Sequence, residues 1–458
     1  MTAAESNVNM LNQLPGRILR SAVVFAAVSI LAAGKVRSAD SSRAAQDSIA
    51  FAQSIFYGRP VREITIVGTK HTKEYVLRRE LASRVGQPYL EQNAKLDIER
   101  LTRLGIFSSV KVYGKASDGG IRLTIDVVET FRILPVVTVS ISDENGVSAG
   151  GGLKMLNLRG RATYLSAIAR FGGVNTLQFG LRNPWVAGNH LSYNFRLNHV
   201  ERKNKIFAFY EVSNEAYLEV QSYVRKSGRV GGRAMFETVH SDKPGKTLSD
   251  DNQDMVASLG LYAIYDTRNE WNNPTSGWLN EIAVWQNGMF DTDSEFWRLI
   301  IDLRRYNYLG ARSSLCVYSM ATLTTGTVGE DIAEWQQFGI GGVNTIRGCD
   351  LGADIGKHQF INTLEYRYTL LPQRGIRIFG ISFPFGMQGT VFGDFGSAWS
   401  EKTEFGDAFI VGYGVGFRFI IPYVDAARLE FAFGKEGGGI KVLVATGEKA
   451  DRARWRIR

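Results

Sequence analysis

No stretch of this sequence reaches the ~18–20 consecutive apolar residues that a membrane-spanning helix requires, so its 44% hydrophobic content argues against a helical membrane protein. The same shortage leaves a β-barrel open, because a barrel's signal is alternation, which keeps mean hydropathy low. Cysteine is nearly absent. Cys316 and Cys349 lack paired spacing, which excludes a disulfide framework and a cysteine zinc site, and leaves open whether they are free thiols or one bridge. The histidines His71, His190, His199, His240 and His358 are scattered without an HExxH-like cluster, so no metal is expected. The net charge of +9 comes without a Lys/Arg block, so nucleic acid is not an expected partner. Proline is scarce at 10 residues, while glycine reaches 49 and aromatics 11%. Glycine-punctuated strands with aromatic girdles give that mix, as does a soluble β-rich protein.

Residues 1–39 read as a secretory signal peptide. Arg17 and Arg20 precede an apolar run from Ala22 to Ala33, and the small residues Gly34, Ser38 and Ala39 follow. Cleavage is expected after Gly34 or Ala39. Residues 40–58, polar and small, read as a linker.

Residues 59–130 predict a small α/β module of order β-α-α-β-β. A strand is expected over Val61–Val67, and Gly68 ends it. A helix over Thr72–Ala82 carries Val76, Leu77 and Leu81 on one face, with Thr72 as its N-cap. Gly86-Gln87-Pro88 breaks the chain. A second helix from about Glu91 to Leu104 carries Leu96, Ile98 and Leu101, and Gly105 is placed to end it. Strands follow around Val110–Tyr113 and Ile121–Val128, the second with apolar residues at every other position. This order, with "IVGTKHT", "LTRLGIFSSVKV" and "IDVVE", resembles a POTRA domain. The resemblance implies a periplasmic receptor whose open sheet edge accepts an extended client segment.

From Ile133 onward the dominant period is two. Leu191, Tyr193, Phe195 and Leu197 alternate with Ser192, Asn194, Arg196 and Asn198. Leu364, Tyr366 and Tyr368 alternate with Glu365 and Arg367, and Leu429, Phe431 and Phe433 alternate with Arg428, Glu430 and Ala432. Burying Arg and Glu in a dry sandwich core is costly, so a wet lumen with lipid outside is the better reading. Residues 131–458 then predict a transmembrane β-barrel of ~16 antiparallel strands.

Several stretches resemble the BamA/TamA outer-membrane insertase superfamily, in the family's order. They are "NLRGRATY" with Asn157 and Gly160, "LRNPW" (Leu181–Trp185), "YDTRNEWNNPTSGW" (Tyr265–Trp278), "GGVNTIRGCD" (Gly341–Asp350), "FGDFGSAW" (Phe392–Trp399) and Gly412–Gly434. The strand-turn-strand motif at Tyr265–Trp278 contributes the barrel-turn residues Asp266, Arg268, Pro274 and Gly277. By resemblance, the loop motif Ile346-Arg347-Gly348 sends Arg347 into the lumen, where Asp394 and Glu365 receive it. A guanidinium fork suits a carboxylate bidentately, and Lys does not replicate it. Gly348 permits a tight tip, and Cys349 replaces the family's aromatic.

The resemblance implies a seam between the first strand (about Ile133–Ser142) and the last (about Gly439–Thr446), with Ile133, Val136, Ile440 and Val442 as seam residues. Opening that seam exposes backbone groups that a client strand can satisfy, and a narrow barrel thins the bilayer locally. The expected partners are unfolded outer-membrane or secreted client proteins, outer-membrane lipid, and periplasmic chaperones or lipoproteins. The expected location is the bacterial outer membrane with a periplasmic N-terminal domain. A single module also matches the mitochondrial sorting relative in number.

No cofactor and no catalytic constellation is expected, so the chain does not read as an enzyme. Gly146–Gly150 fits GxSxG but lies in a Gly-rich strand-turn region and reads as a bend between the first two barrel strands. Gly412–Gly416 lacks the helix of a dinucleotide fingerprint. Ser241–Asp254 reads as a surface loop, and the terminal "EKADRARWRIR" as a basic tail past the last strand. The ranked alternatives to an assembly and insertion factor are an export pore for a secreted partner, then a passive porin-like channel.

Overall fold

The computed structural model describes residues 56–142, 144–187, 190–225, 227–270, 273–290, 292–378, 381–401, 409–420 and 427–446. The expected signal peptide, most of the linker and the basic tail lie outside them. The first unit comprises β1 (Val61–Val67), α1 (Glu74–Glu80), α2 (Glu91–Arg103), β2 (Phe107–Ser117) and β3 (Gly120–Glu129). Its sheet order is β1-β3-β2, with β1 parallel and β2 antiparallel to the central β3. Ile121, Leu123, Ile125 and Val127 of β3 pack on Val76, Leu77, Leu81 and Leu101 from the helices.

Two local expectations are corrected. The first helix starts at Glu74, and its N-cap position is Lys73 without a side-chain cap bond. Thr72 is occupied elsewhere, donating its hydroxyl to Glu129 at 2.5 Å. On α2, Ile98 is exposed while Asp97 is fully buried. The inward face runs through Ala94, Asp97, Leu101 and Leu104, a proper helical stripe with a carboxylate in it. Asp97 accepts the backbone N–H groups of Ala82 and Ser83, which follow α1. Gly105 adopts φ +66° and its N–H donates to the Thr102 carbonyl at 2.9 Å, so the second helix ends as its sequence suggests.

The remaining chain winds into one antiparallel sheet of 16 strands. They are β4 (Ile133–Ser142), β5 (Gly146–Leu158), β6 (Thr163–Gly172), β7 (Val174–Ala187), β8 (Leu191–Asn204), β9 (Phe209–Val224), β10 (Gly228–Ser241), β11 (Gln253–Asp266), β12 (Gly277–Asn287), β13 (Phe296–Gly310) and β14 (Ser313–Thr324), then β17 (His358–Ile378), β18 (Ile381–Trp399), β19 (Ile410–Ile420), β20 (Ala427–Gly434) and β21 (Gly439–Thr446). Between β14 and β17 a long loop carries the small pair β15 (Phe338–Ile340) and β16 (Asp354–Gly356). Burial alternates along the strands, most plainly in β19. Tyr413, Val415 and Phe417 face outward, as lipid requires.

The GxSxG stretch is mostly strand. Gly146 opens β5 at φ +69°, and Ser148–Gly150 already pair with β4. The expected bend is confined to the residues before Gly146. The lumenal charges also differ from a simple wet face. Arg298, Arg304, Arg347, Arg367, Arg418 and Arg428 are buried together with Asp302, Glu365, Asp394 and Glu430. The lumen is partly filled by the long loop, whose Phe338, Ile340, Ile346 and Cys349 pack on Tyr262, Ile300, Tyr318, Met320 and Ile361 of the wall.

Candidate functional site

The loop tip from Gly339 to Cys349 is buried throughout. Gly341, Gly342 and Gly348 take positive φ values, which lets the chain reverse inside the barrel. Arg347 lies at its end, fully buried. Its Nε donates to Asp394 Oδ2 at 2.7 Å and its Nη2 to Asp394 Oδ1 at 3.0 Å, a bidentate pair. Its Nη1 donates to Glu365 Oε2 at 3.0 Å and to Glu430 Oε1 at 2.7 Å. The Arg347 backbone N–H also donates to Asp394, at 3.1 Å. The guanidinium carbon sits 3.4 Å from the centroid of the Phe392 ring. Three strands thus supply three carboxylates to one cation, β17 with Glu365, β18 with Asp394 and β20 with Glu430.

The intervening strand β19 offers glycines instead. A Cβ at Gly412 would overlap the Arg347 carbonyl, and one at Gly414 would press on the Phe392 ring at 2.8 Å. The stripe read as a strand with small residues is therefore the recess that admits the loop. Gly348 is as constrained: φ is +94° and an added Cβ would overlap the Phe433 backbone. Cys349 replaces an aromatic without leaving the tip loose. It is buried, with Sγ 3.5 Å from the Val411 carbonyl, and both cysteines are free thiols. Beyond the tip, Lys441 of β21 donates to Asp350.

Sequence reasoning named Arg347, Asp394, Glu365, Ile346 and Gly348, and the structure brings these together. It missed Glu430, read only as an inward position, and Phe392 and Lys441. The available signal was parity: Glu430 shares the lumenal face of its strand with Arg428 and Ala432, opposite the glycine stripe. The turn-motif residues lie apart from this site. Asp266 takes a bidentate pair from Arg268 at 3.0 and 2.9 Å, Pro274 is buried, and Gly277 at φ +104° passes close over the Thr267 carbonyl. They brace the β11–β12 connection.

Ile133 and Val136 lie on β4, and Ile440 and Val442 on β21. These two strands are the ends of the sheet order and run beside one another, yet among the described residues no hydrogen-bonded ladder joins them. Pro135 lies in β4, and proline is confined to sheet edges because it cannot donate to a ladder.

The module docks on the β4 side of that gap. Asn157 Nδ2 donates to Thr72 Oγ1 at 2.7 Å, and the Lys73 N–H donates to the Gly160 carbonyl at 2.9 Å. Arg79 Nη1 donates to the Trp185 carbonyl at 2.6 Å, His190 stacks on Trp185, and its Nε2 lies 3.5 Å from Glu80. All these barrel residues belong to the β5–β6 and β7–β8 connections or their edges.

A nearly closed sixteen-stranded barrel, plugged by an arginine-tethered loop and preceded by a βααββ module, defines an outer-membrane β-barrel of the POTRA-bearing class. Residues 157–442, well over half the chain, match the Omp85 superfamily domain, and residues 60–130 match the POTRA family, described as a surface antigen variable number repeat. The chain belongs to the Omp85 superfamily, which places it in a bacterial outer membrane. It is 22% identical over 405 residues to the outer membrane protein assembly factor BamA of Nitratidesulfovibrio vulgaris, covering 82% of this chain and 48% of that protein. The chain thus spans about half the length of that curated relative. Among solved structures, BamA from Haemophilus ducreyi lacking POTRA domains 1–3 matches with a TM-score of 0.62 at 15% identity, over 84% of this chain and 83% of that one. CdiB from Escherichia coli matches with a TM-score of 0.62 at 11% identity, over 85% and 76%.

Proposed function

We propose that this protein assembles β-barrel proteins into the outer membrane by offering the gap between β4 and β21 to an incoming client strand. The observation that carries the reading is that, among the described residues, no ladder joins these two strands in an otherwise continuously paired sheet. An unpaired backbone group in lipid costs several kcal/mol. The eight residues of β21 present roughly four N–H and four C=O groups toward the gap, since alternate residues point to each side. A client strand satisfies them by pairing, and its own sheet formation drives insertion.

Three features support this use. The first hairpin is weak, with Gly150, Gly151 and Gly152 in β5 opposite β4. The strands at the gap are short, 10 residues in β4 and 8 in β20 and β21 against 14 to 16 in β7 to β11, and a short hydrophobic wall thins the bilayer beside it. Finally, the two sides of the gap carry separate attachments. Arg347 and Lys441 tie the loop to β17, β18, β20 and β21, while the module is bonded to the β5–β8 side. The gap can open without breaking either attachment.

In this reading the module lies in the periplasm and meets the client first, and the chain before it is removed on export. The buried loop tip supports the lateral route over an export pore or a porin, since both need an open lumen. Photo-crosslinking tests it. A photoreactive residue at Val136 or Val442 is expected to trap client chains, and one at the lumenal Tyr318 is not. Adducts at Tyr318 alone would establish the export route instead.

A further inference from the structure

The outer wall of the barrel, at its module end, carries a cation that faces lipid. Successive connections alternate between the two ends of the sheet, so the β11–β12 and β13–β14 connections share the module's end with β5–β6 and β7–β8. Along β13, Ile300, Asp302, Arg304 and Tyr306 are buried, and the residues between them face outward. Arg305 belongs to the outward set, with Trp297 and Leu303. A guanidinium on the lipid face is strongly disfavoured at the bilayer midplane and tolerated near the interface.

Two observations set Arg305 at the interface. Its ladder partner is Trp278, the second residue of β12, and Tyr265, Trp278, Tyr366 and Tyr368 are exposed at this end, as an aromatic girdle is. Away from the module, the outward positions turn apolar, with Leu303 and Ile301 on β13 and Ile282 and Val284 on β12.

The side chain is also held in place. Its guanidinium carbon lies 4.6 Å from the centroid of the Trp278 ring, a cation–π contact. Its Nε donates to Asn307 Oδ1 at 2.9 Å, which leaves the Asn307 amide nitrogen as a further donor beside it. Among the described residues, Arg305 Nη1 and Nη2 have neither a hydrogen bond nor a carboxylate partner, and the residue is part-exposed. An oriented, accessible guanidinium fork matches a phosphate oxygen pair, and membrane lipid supplies phosphate at this depth.

We propose that Arg305, backed by Trp278 and oriented by Asn307, binds the phosphate of one membrane glycerophospholipid in the leaflet on the module's side. The acyl chains lie along the apolar outward residues of β12 and β13. In the strand order these two strands stand across the barrel from β4 and β21, so the lipid anchors the wall that faces the gap. Neither the gap nor the loop tether supplies a residue to the site.

The test uses the full chain in detergent micelles, stripped of co-purified lipid, with native mass spectrometry counting the lipid retained. Phosphatidylglycerol and phosphatidylethanolamine are titrated in separate arms against diacylglycerol with the same acyl chains, which lacks the phosphate. At least one phospholipid is expected to fill a single saturable site that diacylglycerol leaves empty. Arg305→Gln is expected to weaken binding about tenfold or more, through the loss of charge-assisted bonds to the phosphate. Trp278→Leu weakens it in the same direction, because the guanidinium loses its backing ring. Lys203→Gln, exposed at the other end of the barrel, leaves it unchanged. Should Arg305→Gln fail to assemble, a phospholipid carrying a diazirine beside its glycerol decides on the unmodified chain, with adducts expected on β12 and β13. The proposal is overturned by retention of neither phospholipid, by equal retention in Arg305→Gln or of diacylglycerol, by uptake without saturation, or by adducts spread evenly around the barrel. Any of these would leave unspecific annular lipid as the occupant.

Discussion

At the scale of single residues, the tether is a three-to-one arrangement of carboxylates around one guanidinium. Removing one partner of a buried charge cluster costs more than the cluster's net worth, about 3–5 kcal/mol, because the remaining charges stay buried and uncompensated. Arg347→Ala leaves Asp394, Glu365 and Glu430 facing one another. The loop is expected to undock while the ladders, which do not involve it, keep the barrel assembled. Heat-modifiable gel mobility should be retained, protease should reach the loop, and complementation of a depleted strain should fail. Arg347→Lys should fail as well, since one ammonium cannot bridge three acids from three strands. Full complementation by either variant would contradict the tether. Glu430→Gln takes the charge out of the bonds from both Arg347 and Arg428, and the loss at Arg347 should lower the stability of the docked loop by roughly 1.5–3 kcal/mol, seen as faster loop proteolysis. The arginine and two of its acids were legible in short motifs. Glu430 was not, because no local pattern tells which of several inward acids a loop from 83 residues away will reach.

At the scale of elements, the joint between module and barrel turns on Glu129. Burial pushes its carboxyl up, but hydrogen bonds from the Thr72 hydroxyl and from the backbone of Thr72, His71 and Lys70 outweigh it and hold the group below the ordinary glutamate range. Its contribution is present above the unfolded value and lost as pH falls through the depressed one. Asp97 behaves oppositely. Burial dominates over its bonds to Ser83 and Ala82 and holds it above the ordinary aspartate range, so its contribution is full at low pH and lost as pH rises through the raised value. Hydrogen exchange on the full chain should therefore show α1 loosening with rising pH in a way that Asp97→Asn removes. The contact of His71 and Thr72 with β3 should instead loosen with falling pH, in a way that Glu129→Gln removes. The helix boundaries explain why sequence misled here. Thr72 is a good N-cap by composition, but Glu129 and Asn157 claim its hydroxyl, and neither is near it in sequence.

At the scale of the whole molecule, alternation in β8, β17 and β20 was enough to read a barrel and its approximate strand number, because lipid outside and charge inside impose a period of two. The gap was implied by resemblance, since closure depends on two strands almost 300 residues apart that leave no mark on each other's sequence. Pro135 and the Gly150–Gly152 run were the local hints. The division of charged attachments was invisible: the Arg347 tether reaches the last strands and the module bonds the early ones, while the loop's apolar tip packs on β11 to β14 between them. It follows from pairing register and from which turn meets which helix.

The central claim is that β4 and β21 must part for the protein to work. Cysteines placed pairwise on the outward faces of the two antiparallel strands, Ile133→Cys with Val444→Cys and Val137→Cys with Ile440→Cys, in a chain carrying Cys316→Ser and Cys349→Ser, measure this directly. A strain depending on an oxidised, cross-linked pair is expected to stop assembling outer-membrane barrels and to resume on reduction, while each single cysteine is active. Undiminished assembly with the two strands quantitatively cross-linked would contradict the account.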